Sequence, residues 1–224
     1  MTPRYLLGRR VEVDERSRAY AIEAHPAAAS LRKTSTLWQR YSPILDQGSV
    51  GSCTGNAMAG ALGCWPFSRT SGDAERWTEV AAVDLYARAT RLDPYPGAYP
   101  PDDTGSSGLA VAKAARQLGA IKGWRHAYTL DALLHALQSG PLIVGAPWHA
   151  DMFTPAADGS VAPAGPIEGG HEWLVRGWDA DKQALRCDNS WSASWGPLGG
   201  SFLVPGIAWD QLLREGADAI APHL

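Results

Sequence analysis

The chain has 224 residues, against roughly 150 for an average domain, so it forms one full domain or two fused lobes. Hydrophobic residues make up 45% and charged residues only 19%, which excludes a disordered chain. A net charge of -3 and a pI near 6.1 provide no attraction for nucleic acid or an anionic membrane. We therefore expect neither of them as a partner.

The numbers of glycine, proline and cysteine residues further limit the kind of fold and the cellular compartment that we expect. The 24 glycines and 16 prolines predict many turns and long connections rather than a helical bundle. Cys53, Cys64 and Cys187 are too few for a disulfide scaffold, and a reducing compartment is the simpler inference. The N-terminus lacks the apolar stretch of a signal peptide, and no window is apolar enough to span a membrane. These features predict a soluble, cytoplasmic protein.

The predicted elements change from helices to strands along the chain. Residues 1–40 are mixed, with a weak strand candidate at 10–13. Periodicity and caps predict helices over 53–62, 74–91, 109–118 and 130–139, strands at 142–144 and 201–204, and a hairpin of 171–178 with 184–189. The run 93–108 is the longest loop, and such loops are usually functional or mobile. Helices first and strands later indicate an α+β protein with two lobes.

Cys53 stands at the predicted start of a helix, with Ser52 as its N-cap. The positive end of a helix lowers the pKa of a thiol and favours the reactive thiolate. Gln47, six residues earlier, could donate a side-chain N–H to an oxyanion, with the Cys53 backbone N–H as second donor. A lone cysteine is more often a buried structural residue. The flanking sequence favours the reactive interpretation here.

A second candidate cluster lies on the predicted hairpin. His171 is on one strand and Asn189 ends the other. Catalysis by a thiol needs a base beside the sulfur and a third group that orients the base. Trp191 could shield the hydrogen bond between His171 and Asn189 from water, or it could simply pack in the core.

Three separated blocks carry a family resemblance. They are DQGSVGSC at 46–53, GHEWLVRGW at 170–178 and NSWSASWG at 189–196, the last followed by Gly199 and Gly200. In content, order and spacing they resemble the active-site segments of papain-like cysteine peptidases. The resemblance covers about residues 38 to 221.

The resemblance implies a role for each candidate residue. Cys53 would be the nucleophile, and His171 would be its ion-pair partner and general acid. Asn189 would orient His171, Gln47 would complete the oxyanion hole, and Trp191 would cover Asn189.

The resemblance also implies an architecture. An N-terminal arm, 1–38, would precede a two-lobed papain-like domain, 39–224. A helical lobe at about 50–140 and an antiparallel, β-barrel-like lobe at about 141–221 would enclose the active-site cleft.

Several positions depart from the family pattern. Val50 stands where most members have a disulfide-bonded cysteine, Thr54 and Gly55 replace the usual Trp-Ala, and Glu172 replaces a small residue. The long helical propeptide is absent, as in the compact branch from bacteria and phages. We therefore expect the full-length chain to be competent without proteolytic maturation.

The predicted activity is hydrolysis of peptide or isopeptide bonds through an acyl-enzyme, on a peptide or protein substrate. Two alternatives remain open: a peptidoglycan-directed amidase or endopeptidase of a bacterium or phage, and a non-enzymatic virion or assembly protein, which would be virion-associated. No cofactor or metal is expected. Val175 stands where a zinc motif beginning at His171 would need its second histidine, and a solvated loop is the preferred interpretation of His149 and Asp151.

Overall fold

The computed structural model describes residues 5–12, 14–23 and 28–224. The helices are α1 (Ala28–Leu31), α2 (Cys53–Leu62), α3 (Ser71–Ala74), α4 (Glu79–Ala89), α5 (Gly108–Gln117), α6 (Leu130–Ala136) and α7 (Gly206–Arg214), with short 3-10 helices at Glu15–Tyr20 and Ala150–Phe153. The strands are β1 (Thr36–Leu37), β2 (Gly123–Ala127), β3 (Leu142–His149), β4 (Ile167–Asp179), β5 (Ala184–Asp188), β6 (Ser201–Pro205) and β7 (Asp218–His223). The predicted α+β class is confirmed.

The strands form one antiparallel sheet in the order β2-β7-β3-β4-β5-β6, with β1 paired to β4. Over the described residues β2 and β6 do not pair with each other, so the sheet is open where a barrel-like lobe was predicted. The predicted hairpin is present, because Leu174 of β4 lies opposite Asp188 of β5.

Each face of the sheet supports a separate core, because successive strand residues point to opposite faces. Val144, Trp173 and Val175 pack on one face together with α6 and α7. Ile143, Leu174 and Ile220 pack on the other face against α2, α4 and α5. The N-terminus of α2 therefore meets β4 where the helical layer joins the sheet.

Several predicted elements change their bounds. The helix predicted over 74–91 is shorter, α4 at Glu79–Ala89, because Ala74 ends the separate helix α3, and the strand at 142–144 extends to His149. The strand candidate at 10–13 is not a strand where the structure describes it, and residue 13 lies outside the described residues. β2 and β7 were not predicted, because their apolar residues do not alternate cleanly, and α7 was not predicted either. Where the chain is described, no helix has the length and apolar character that a membrane crossing needs.

A buried ion cluster stabilises the strand end that carries Asn189. The carboxylate of Asp188, with its side chain 1% exposed, accepts hydrogen bonds from Arg40 and Arg176 at 2.9 Å each and from Ser201 at 2.7 Å. Burial raises the pKa of Asp188, but Arg40 and Arg176 outweigh it and hold that pKa below its ordinary value.

We expect Asp188→Ala to lower the free energy of unfolding by about 3–5 kcal/mol, because it leaves two guanidiniums without their partner. Chemical denaturation measures the loss, and Asp84→Ala, which removes an exposed pair with Arg88, is the control with a loss below about 1 kcal/mol. Since the folded pKa of Asp188 is depressed, its stabilising effect is present above the unfolded pKa and disappears as the pH falls through the folded one. Equal losses in the two variants would contradict the prediction.

Candidate active site

Cys53 is the first residue of α2, as predicted, and it is fully buried. Ser52 occupies the N-cap position but does not cap the helix through its side chain. Its hydroxyl instead accepts a hydrogen bond from the Asn56 side chain at 3.0 Å. The α2 residues Cys53–Leu62 are all buried, so the helix holds the sulfur at a fixed depth in the protein.

The imidazole of His171 is held from two sides. Its Nε2 lies 2.8 Å from Oδ1 of Asn189, and the ring of Trp191 stacks on it at 4.5 Å between centroids with 24° between planes. Because an amide oxygen only accepts hydrogen bonds, Nε2 carries the proton and Nδ1 carries the lone pair. Within the described part of the chain Nδ1 has no hydrogen-bond partner.

The structure brings the five predicted site residues together. The backbone N–H of Glu172, the residue after His171, points at the Cys53 sulfur. Gln47 is tied to the same hairpin, because its N–H donates to the Ser190 carbonyl at 2.8 Å and its Oε1 accepts from the Ser190 hydroxyl at 2.7 Å. The Gln47 Nε2 amide donates a hydrogen bond to the Val50 carbonyl at 3.0 Å.

The N-terminal arm lies across this site. We call residues 6–10, sequence LLGRR, the arm segment. On one side, Ser106 donates its N–H to the Gly8 carbonyl at 2.8 Å and accepts from the Arg10 N–H at 2.7 Å. On the other side, the Arg9 N–H donates to the Gly170 carbonyl at 2.9 Å, so the segment bridges the helical part and the sheet.

The arm segment also contacts two of the candidate catalytic residues, Cys53 and Gln47. The backbone N–H of Gly8 points at the Cys53 sulfur, and Gln47 Nε2 donates to the Leu6 carbonyl at 3.2 Å. The amide that was predicted to bind an oxyanion therefore binds an arm carbonyl. The arm segment therefore contacts both the sulfur and the predicted oxyanion donor and covers the site.

Covering the site changes its protonation. Burial, followed by the nearby charge of Glu172, raises the pKa of Cys53 to about 12, and burial lowers the pKa of His171 to about 4. Both groups are neutral near pH 7, so the predicted thiolate–imidazolium pair is not present in this closed form. A helix N-terminus stabilises a thiolate by roughly 0.3–2 kcal/mol, whereas moving a charged group out of water costs several kcal/mol. Burial therefore outweighs the effect of the helix.

Sequence reasoning did not predict the position of the arm. We expected a full-length chain that is competent without processing, and the arm segment over Cys53 argues against that expectation. Sequence reasoning also missed Asp103, which lies in the long loop 93–108. The carboxylate of Asp103 accepts hydrogen bonds from the Gly51 N–H at 2.8 Å and from the Tyr86 hydroxyl at 2.5 Å. That loop therefore supports the turn that leads into Cys53.

The remaining candidates have other partners. His149 pairs with Glu215 at 2.7 Å and with the Gly165 carbonyl at 2.9 Å. Among the residues described, no three histidine, cysteine or acidic side chains are grouped to hold a metal ion. Cys64 and Cys187 are buried free thiols, and burial raises the pKa of both.

Comparison with known proteins defines the class of fold. No protein-family model matches the chain, and no curated protein matches its sequence. Xylellain, a cysteine protease from Xylella fastidiosa, matches with a TM-score of 0.74 and 16% identity, over 100% of this chain and 98% of that one. Digestive procathepsin L2 proteinase from Tenebrio molitor larval midgut matches with a TM-score of 0.62 and 18% identity, over 100% and 81%.

A recombinant stem bromelain precursor matches with a TM-score of 0.57 and 13% identity, over 91% of this chain and 74% of that one. The chain therefore has the papain-like fold, as the three sequence blocks predicted.

Proposed function

We propose that the protein is a cysteine peptidase that hydrolyses peptide or isopeptide bonds through an acyl-enzyme on Cys53. The observation that carries this proposal is the imidazole of His171. It is held between Asn189 and Trp191, its Nδ1 has no hydrogen-bond partner among the described residues, and the next residue, Glu172, points its backbone N–H at the Cys53 sulfur. A ring held in this way is suited to take a proton from the thiol and to return it.

The reaction begins when the arm segment leaves and water enters the cleft. His171 Nδ1 takes the proton from the Cys53 thiol, and the thiolate attacks the substrate carbonyl carbon. The oxyanion accepts hydrogen bonds from the Cys53 backbone N–H and from Gln47 Nε2. His171 then protonates the leaving amine, and the C–N bond breaks.

Water completes the cycle. His171 takes a proton from the water, whose oxygen attacks the thioester carbon, and the C–S bond breaks to give a carboxylic acid and the thiol. Trp191 keeps water away from the hydrogen bond between His171 and Asn189, so the ring keeps its orientation through both steps.

Thiol titration combined with a cleavage assay tests the proposal. The test uses the full-length Gly8→Ala chain, in which a Cβ would overlap the Gly51 carbonyl oxygen and displace the arm segment. In this chain an epoxide that alkylates thiols should add one equivalent to Cys53 and stop cleavage of a peptide library in proportion. Cys53→Ser should abolish cleavage, while Cys64→Ser, a change at another buried thiol, should retain it. Cleavage that survives Cys53→Ser would contradict the proposal, as would cleavage of peptidoglycan fragments without any cleavage of peptides.

We expect Asn189→Ala to lower kcat by about 10- to 100-fold with little change in the fold, because the imidazole remains but loses the acceptor that orients it. Asn189→Asp, which keeps an acceptor oxygen, should restore part of the rate. Steady-state kinetics in the Gly8→Ala background, where the arm segment is displaced, and circular dichroism measure the two effects. An unchanged kcat in Asn189→Ala would show that this hydrogen bond does not serve turnover.

A further inference from the structure

Hydrogen bonds alone hold the turn that leads into Cys53. The three cysteines are free thiols, so no disulfide restrains this part of the chain. The Val50 N–H donates to the Gln47 carbonyl at 3.2 Å, and Gln47 Nε2 donates back to the Val50 carbonyl at 3.0 Å. The side chain that is proposed to bind the oxyanion therefore rests on the backbone of this turn.

A single peptide group connects that contact to Asp103. The carbonyl of Val50 and the N–H of Gly51 belong to the same peptide group, which is planar and points them in opposite directions. Gln47 Nε2 binds the carbonyl on one side, and Asp103 Oδ2 accepts a hydrogen bond from the N–H at 2.8 Å on the other. By fixing the direction of the Gly51 N–H, Asp103 also fixes the carbonyl that holds Gln47.

The arrangement gives each hydrogen of Gln47 Nε2 its own direction. One hydrogen goes to the Val50 carbonyl, and the other goes to the Leu6 carbonyl of the arm segment at 3.2 Å. Oε1 accepts from the Ser190 hydroxyl at 2.7 Å, so the amide cannot turn over without losing that bond. A substrate oxygen that replaces the Leu6 carbonyl oxygen would meet the same donor.

Asp103 is itself held by Tyr86 of α4. The Tyr86 hydroxyl donates to Asp103 Oδ1 at 2.5 Å and accepts from the Gly105 N–H at 2.9 Å. Burial, followed by the hydrogen bond to Asp103, raises the pKa of Tyr86, so the hydroxyl remains a donor. α4 lies against the first turn of α2, because a Cβ on Gly55 would overlap the Ala82 carbonyl. The carboxylate is therefore fixed relative to the start of α2.

A carboxylate suits this place better than a neutral acceptor. Hydrogen bonds to a charged acceptor are roughly twice as strong as those between neutral groups. Asp103 is an exposed residue, whereas both of its partners, Gly51 and Tyr86, are buried. Removing the carboxylate leaves two buried donors without this acceptor, so the peptide group before Gly51 can rotate toward another one.

We propose that Asp103 is a positioning residue for the oxyanion hole. Through the Val50–Gly51 peptide it holds Gln47 Nε2 where this amide donates to the substrate oxygen, and it acts on the reaction only through Gln47. The effect on catalysis rests on the proposed peptidase function. The effect on the Gln47 amide is a property of the folded chain, so the two can be tested separately.

The first experiment measures steady-state kinetics in full-length chains that all carry Gly8→Ala, so that the arm segment is displaced. Asp103→Ala should lower kcat about 10- to 100-fold and keep KM within about threefold, because the oxyanion forms only during the reaction. Asp103→Asn, which keeps an acceptor for the Gly51 N–H, should recover most of the rate. Asp102→Ala, at the neighbouring exposed aspartate, is the matched control and should keep kcat within about twofold.

Two readouts distinguish positioning from a general loosening of the fold. Gln47→Ala removes the donor itself, and in that background Asp103→Ala should lower kcat by less than about threefold. Alkylation of Cys53 by iodoacetamide needs no oxyanion hole, so Asp103→Ala should change its rate by less than about threefold. Additive losses in the double variant, or a loss of alkylation that matches the loss of kcat, would overturn the positioning role.

The second experiment does not depend on catalysis. Nuclear magnetic resonance of the full-length Gly8→Ala chain with Cys53→Ser observes the Gly51 amide and the Gln47 side-chain amide. In Asp103→Ala the Gly51 amide should exchange with solvent at least about tenfold faster, and the Gln47 resonances should shift. Asp102→Ala should change neither.

The outcomes separate the two proposals. An unchanged kcat in Asp103→Ala overturns the positioning role and leaves the peptidase function standing. If no peptide is cleaved, the peptidase function is contradicted, and the spectra still decide whether Asp103 holds Gln47. Gln47 resonances that do not move in Asp103→Ala overturn the positioning role whatever the cleavage assay shows.

Discussion

We expect His171→Ala to lower the kcat for peptide cleavage by roughly 10³-fold or more, a larger loss than for any other single change except at Cys53. The variant loses both the base that deprotonates the thiol and the acid that protonates the leaving amine. Among the described residues, the other groups that act on the Cys53 thiol are backbone N–H groups, which cannot accept a proton, and the buried Glu172. Steady-state kinetics on a cleaved peptide, with both chains carrying Gly8→Ala to displace the arm segment, measures the loss.

His149→Gln provides the matched control. His149 is another buried histidine of the sheet, but its partners are Glu215 and the Gly165 carbonyl, away from Cys53. We expect this variant to lose some stability and to keep kcat within about threefold of the parent. Similar rates for His171→Ala and His149→Gln would exclude the proposed role of His171.

We expect Gly8→Ala to convert the closed form into one whose Cys53 reacts with a small alkylating reagent about 10- to 100-fold faster at pH 7. A Cβ on Gly8 would overlap the Gly51 carbonyl oxygen, and overpacking of this kind costs about 1–3 kcal/mol, which the arm avoids by leaving. Mass spectrometry of the labelled chain gives the rate at each of the three cysteines. Cys64 and Cys187 should remain unlabelled in both chains because they are buried in the cores.

Two further variants make this result decisive. Gly170→Ala should also open the site, because its Cβ would overlap the Arg9 carbonyl from the opposite side. Gly72→Ala is the control, because the nearest atom to its Cβ would be 3.7 Å away. If the unmodified chain is labelled at Cys53 as fast as Gly8→Ala, the arm does not cover the site in solution, and the expectation of a competent full-length chain stands.

The pH dependence of Cys53 labelling also reports whether the arm segment covers the site. In the closed form the pKa of Cys53 is raised to about 12, so the thiolate fraction and the labelling rate should grow about tenfold per pH unit between pH 6 and 10. In Gly8→Ala, where water returns to the site, an ion pair with His171 should flatten this profile around neutral pH. The same slope in both chains would show that burial by the arm is not what keeps the thiol neutral.

The sequence by itself was sufficient to identify the candidate catalytic residues, because their signals are local. Cys53 follows a turn and begins a helix. His171 lies on β4, and Asn189 directly follows β5, the other strand of the same hairpin. The order of helices and strands along the chain was enough to predict the α+β class, and the three blocks in their order and spacing were enough to predict the papain-like fold.

Only the tertiary structure decided the state of the site. The arm segment reaches Cys53 through backbone hydrogen bonds to Ser106 and Gly170, which lie about 100 and 160 residues away and leave no pattern in the segment itself. The predicted thiolate was wrong for the closed form because a helix N-terminus is a local effect, whereas burial depends on what covers the sulfur. Asp103 binds the Gly51 N–H from a loop 52 residues further along the chain, so sequence spacing could not bring these two groups together.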